Sequence, residues 1–117
     1  MGVMLLDREA ILNAKDTHSE VVEVPEWGGH VCIRAMTGTE RDDFRAAIEG
    51  KEASLVGKFE APLLALTLVD EEGNRLFSID DVEGLRAKSA KVLDKLTQIA
   101  MRVNGMTEEA QEEAAKN

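Results

Sequence analysis

The sequence has no tyrosine, one tryptophan and three phenylalanines in 117 residues. Aromatic rings therefore supply little buried area, and a core has to be built from Leu, Val, Ile, Ala and Met. A single cysteine, Cys32, excludes an internal disulfide and gives no zinc-site spacing. Basic residues are outnumbered, 14 Lys and Arg against 23 Asp and Glu, for a net charge of −9 and a pI near 4.7. Such a surface repels phosphate backbones, and no basic patch interrupts it, so no nucleic-acid partner is expected. No stretch reaches the roughly 18 apolar residues of a membrane span. The apolar start, residues 1–6, is too short for a signal peptide before Asp7, Arg8 and Glu9. No membrane partner and a cytoplasmic location are expected. At this length one domain is expected, and a composition of 44% hydrophobic and 32% charged residues is that of a globular protein.

What is present is organised around residues 21–44. Two β-rich runs, 21–24 and 31–36, flank the turn-forming cluster Pro25-Glu26-Trp27-Gly28-Gly29. Alternation puts Val22 and Val24 on one face of the first run, and sets Val31, Ile33 and Ala35 against Cys32, Arg34 and Met36 in the second. Thr37-Gly38-Thr39-Glu40 then has the spacing of a capping box. A β-hairpin leading into an amphipathic helix follows. In that helix, residues 38–49, Phe44, Ala47 and Ile48 form a stripe with Arg41 and Arg45 away from it, and Gly50 is the expected stop.

The remainder reads as mainly helical. Residues 6–14 form a short helix or a loosely attached arm, with Ile11 and Leu12 as its apolar contribution. Residues 51–58 are polar and read as a loop. Residues 59–69 are the densest apolar segment; Pro62 suits the first turn of a buried helix, and a buried strand is the competing reading, with length and Leu/Ala content favouring helix. Residues 70–74 are a turn. Ser78 and Asp81 start a short helix to about Leu85 with Val82 and Leu85 inward. Ser89 caps a long helix, residues 90–103, with an apolar stripe of Val92, Leu93, Leu96, Ile99, Ala100 and Val103, stopped by Asn104 and Gly105. The methionines Met1, Met4, Met36, Met101 and Met106 are expected mostly as core filler. The fold class is thus α+β, a mainly helical small domain with an N-proximal hairpin. It divides into an arm (1–18), the hairpin (19–36), a helical body (37–105) and an acidic tail (106–117).

No constellation of catalytic groups stands out. His30 and Cys32, two apart on a strand, share a face, yet His30 sits at the turn edge and no third group is evident to orient a Cys–His dyad. The acidic loop after residue 68 resembles a calcium loop only superficially. With Gly73 as its sixth position, Leu68 and Ile79 fall where carboxylates are required. No catalytic, cofactor or metal site is expected. Trp27, alone in a Gly-Gly turn, either folds back over the hairpin or serves as a contact anchor.

The run Val24-Pro25-Glu26-Trp27-Gly28-Gly29, followed by Val31, Ile33, Arg34, Thr37, Gly38, Glu40, Arg41, Asp42 and Phe44, resembles the tail assembly chaperones of long-tailed bacteriophages. Residues 64–78, 81–85 and 104–110 are similar to further blocks of that family. Gly84 inside a short helix departs from the pattern and weakens that element by up to about 1 kcal/mol. The resemblance implies a non-enzymatic chaperone that binds the tape measure protein and keeps it soluble while tail tube protein assembles around it. It also implies self-association into a ring or spiral, action in the host cytoplasm and absence from the finished virion. Trp27 and Arg34 are then the expected interface residues. A longer, frameshifted product is a further expectation, since Ala115-Lys116-Asn117 permits a slippery adenine tract. Two rival classes remain at this point: an acidic adaptor or inhibitor of a host protein, and a thiol enzyme using Cys32.

Overall fold

The dipeptide Leu68-Val69, at the end of the most apolar segment, decides the topology. In the computed structural model, which describes residues 2–49 and 59–106, it forms a third strand and extends the hairpin to a sheet. The hairpin consists of β1 (Ser19–Val24) and β2 (Gly29–Arg34), antiparallel with Val22 opposite Val31 and Val24 opposite Gly29. Strand β3 (Leu68–Val69) pairs with β2 through Ile33 and Cys32, giving the order β1-β2-β3. Five α-helices accompany the sheet among the described residues: α1 (Arg8–Asn13), α2 (Gly38–Glu49), α3 (Glu60–Thr67), α4 (Val82–Arg86) and α5 (Ala90–Val103). The expected α+β class, mainly helical with an N-proximal hairpin, is what is found, although the sheet has three strands where two were expected.

Helix α3 ends two residues before the apolar run does. Burial, not periodicity, explains why the sequence did not mark that boundary. Every residue from Ala61 to Val69 is buried, so neither a helical stripe nor a strand alternation is visible in the segment. The helix packs against α2, α4, α5 and β2. Its one buried polar side chain, Thr67, donates back to Leu63 O at 2.8 Å and so carries no unmet hydrogen bond into the core. Burying side chains of this size stabilises by about 1.5–3 kcal/mol each. The row Leu63, Leu64, Leu66 and Leu68 is thereby the centre of the molecule.

Local signals elsewhere match their elements. Val22, Val24 and Ile33 face the core from the sheet. Val92, Leu93, Leu96 and Ala100 face it from α5, with Ile99 half-buried beside them. Ser89 caps α5, accepting from Val92 N at 3.4 Å. At its other end Gly105, with φ of 66°, donates to Arg102 O while Met106 donates to Met101 O. That pair of bonds is a Schellman stop.

Two expectations are corrected. Arg41, expected off the Phe44 stripe and so toward solvent, is half-buried, and its Nη2 donates to Asn104 O at 3.2 Å. Met4 is not core filler but 86% exposed, whereas Met36, Met101 and Met106 do pack on the core. The expected turn at 25–29 is found, as a 3-10 turn over Pro25–Trp27 completed by Gly28 in the left-handed region. The Gly50 stop, the 51–58 loop and the tail from Thr107 lie outside the described residues. No helix among the described residues is long and apolar enough to cross a membrane.

Candidate interaction surface

The capping box at the start of α2 grows into the main polar junction of the molecule. Thr37 N donates to Glu40 Oε1 at 3.0 Å, and Glu40 N donates to Thr37 Oγ1 at 3.2 Å. The same carboxylate receives Arg34 Nη2, 2.9 Å from both of its oxygens, and Arg75 Nε stands 3.5 Å away. Arg34 Nη1 also donates to Gly73 O at 2.6 Å. Gly73 makes the turn possible with a φ of 85°. One buried glutamate thus ties together the end of β2, the first turn of α2 and the loop after β3. Two arginines neutralise a carboxylate that would otherwise be costly to bury.

This places Arg34 within the chain's own framework, where its guanidinium is occupied by Glu40 and Gly73. Arg75 and Asn104, neither singled out by sequence reasoning, share that framework. Asn104 accepts from Met36 N at 2.6 Å through Oδ1 and donates to Ala100 O at 2.8 Å. It thereby joins the hairpin exit to the end of α5. Its only sequence signal was helix termination; the contact 68 residues away in sequence had none.

Trp27 lies elsewhere, on an open groove. It projects from the hairpin turn, 37% exposed, and faces Phe77, Gly84 and Leu85 across a space of about 660 Å³, with Asp80, Asp81 and Lys88 at the edge. Asp81 is held by its own capping box, accepting from Ser78 N at 2.8 Å. Asp80 and Lys88 make no ion pair among the described residues. Apolar walls with a few charges at the mouth suit an apolar side chain or segment. Trp27 and Arg34 are not brought together, one lining the groove and the other locked in the Glu40 junction.

The remaining chemistry-bearing residues are dispersed. His30 is exposed opposite Glu23, and Cys32 is half-buried opposite Val21 and Val69. Asp70 accepts from Glu72 N and Asn74 N, both at 2.9 Å, so its Oδ1 organises the turn itself. Among the described residues one carboxyl, that of Glu60, has a displaced pKa. Burial at the start of α3 raises it above 4.5, the neighbouring Asp94 carboxyl raises it further, and Thr97 opposes the shift.

No curated protein matches the chain. Among solved structures it is similar to the "Structure of bacteriophage HK97 tail assembly chaperone", with a TM-score of 0.59 and 22% identity, over 81% of this chain and 90% of that one. At that identity the likeness speaks for the fold. The sequence itself matches the family described as phage tail assembly chaperone over residues 7–117, nearly its whole length, and the chain therefore belongs to the phage tail assembly chaperone family.

Proposed function

We propose that this chaperone binds the tape measure protein of a long-tailed phage and keeps it soluble until tail tube subunits polymerise around it. It acts by binding, without catalysis, as a homo-oligomer in the host cytoplasm, and is left behind when the tail is complete. Family membership supports the chaperone role. The observation that carries the finer reading is uncovered apolar surface on a strongly acidic body: the Trp27 groove and the N-terminal arm, on a chain of net charge −9. Apolar patches of this kind cover the apolar stripes of other chains, while the charge keeps the complex in solution.

The test is co-expression with the tape measure protein of a long-tailed phage that carries this chaperone. The long partner should remain in the soluble fraction and co-purify only when the chaperone is present. Equal solubility with and without it would overturn the reading. The acidity also favours a second reading, an acidic adaptor or inhibitor of a basic host protein. Capture of such a protein in place of the tape measure protein would establish that one.

A further inference from the structure

An apolar segment and an apolar groove are both left uncovered on the same chain. In the N-terminal arm Val3, Met4 and Leu5 are 87%, 86% and 89% exposed, and Leu6, Ile11 and Leu12 are also mainly in water. Helix α1 has no buried residue. Six large apolar side chains are exposed within ten positions, and clustered exposed apolar residues of this kind mark contact sites. The arm's own groove is not where they lie, since their side chains face solvent.

Gly84 gives the groove its shape. It sits in the middle of α4, its φ is not in the left-handed region, and a Cβ added there would meet nothing within 4 Å. Neither backbone conformation nor internal packing calls for glycine, and glycine weakens a helix relative to alanine. What the missing side chain leaves is open space in the groove wall facing Trp27.

The charges fit as well. The apolar run 3–6 is followed by Asp7, which caps α1 by accepting from Ala10 N, and then by Arg8 and Glu9. Neither Arg8 nor Glu9 is in an ion pair among the described residues, and the same holds for Asp80 and Lys88 at the groove mouth. An apolar stretch ending in a positive and a negative side chain faces an apolar groove edged by a negative and a positive one.

We propose that residues 3–12 of one copy dock in the groove formed by Trp27, Phe77, Gly84 and Leu85 of a second copy, with Arg8 toward Asp80 and Glu9 toward Lys88. Each copy gives one arm and receives one, so the contact is head-to-tail and propagates into a ring or an open helix. A slender arm also lets acidic bodies join while their charged faces stay apart. The proposal deepens the self-association in the reading above, but its test needs no tape measure protein.

Sedimentation velocity of the full chain decides it, using Leu5→Asp and Gly84→Leu separately and as an equimolar mixture. Leu5 touches no core, and Gly84→Leu fills open space while removing a helix glycine, so both variants should melt no lower than the parent. The parent should form larger species as concentration rises. Each variant alone should need at least about tenfold more protein to associate, a difference of about 1.4 kcal/mol. The mixture should give a dimer and nothing larger, because Leu5→Asp offers only a working groove and Gly84→Leu only a working arm. A parent that stays monomeric, a variant that assembles like the parent, or a mixture that stays monomeric or grows beyond a dimer would each overturn the proposal. If Leu5→Asp assembles like the parent while Gly84→Leu does not, the copies meet through the groove without the arm, and the proposal is overturned.

Discussion

Glu40 and Trp27 are the two residues whose replacement best separates holding the fold from making contacts. Glu40 is 8% exposed and joined to Arg34, Arg75 and the backbone of Thr37. Its replacement leaves two arginines facing each other with no anion between them, so Glu40→Ala should lower the unfolding free energy by about 3–5 kcal/mol. Arg34→Ala should cost a similar amount, and the double variant less than the two together, because one interaction is removed twice. Urea denaturation measures all three. Trp27→Ala should cost less than the ~3 kcal/mol typical of a removed core aromatic, while weakening assembly or partner capture. A larger loss of stability would make Trp27 a core residue. Glu60 supplies a pH dependence. Its folded-state pKa lies above the ordinary 4.5 through burial and the adjacent Asp94, so the folded chain binds more protons there than the unfolded chain does. The stability this gives is full below the ordinary value and is lost as pH rises through the raised one. Glu60→Gln should remove that decline and be more stable than the parent at neutral pH, as thermal melts across pH 4 to 8 would show.

At the scale of elements, how much could be foreseen depended on how far apart the partners lie. The stripe of α5, the Ser89 cap and the Thr37–Glu40 and Ser78–Asp81 spacings are set by neighbours three or four positions away. All of them were legible in the sequence. Strand β3 was not, because Leu68 and Val69 owe their extended form to Ile33 and Cys32, more than 30 residues earlier. The Arg75 and Asn104 contacts are distant in the same way. Trp27 could be marked as a candidate from its turn, but its groove is built by Phe77 and α4, whose approach no local pattern announces. Gly84 registered in the sequence only as a weak point in a helix; its place in the groove wall gives that weakness a use. The elements also differ in what they contribute. Leu64→Ala in the fully buried α3 should cost about 2–5 kcal/mol, whereas Ile11→Ala in α1 should stay within about 0.5 kcal/mol. If Ile11→Ala destabilises the monomer as strongly as Leu64→Ala, the arm is packed on its own body in solution.

For the whole molecule the net charge of −9 sets a test that separates the ways it could associate. Two such bodies repel, and that repulsion acts over the Debye length, which falls from about 10 Å in 0.1 M salt to about 3 Å in 1 M. An apolar arm in an apolar groove gains nothing from the long-range field, and its two ion pairs at the groove mouth are exposed and worth little. Screening should therefore remove more repulsion than attraction, and self-association should strengthen as salt is raised across that range. Capture of a basic partner by the acidic surface behaves in the opposite sense, because there the long-range field is the attraction and salt weakens it. Sedimentation of the chaperone alone, and pull-down of its partner, at the two salt concentrations read both effects. Self-association that weakens with salt would mean that charge, and not the arm, joins the copies. Partner binding that is insensitive to salt would favour the tape measure reading over an acidic adaptor, since covering an apolar stripe requires no charge on the other chain.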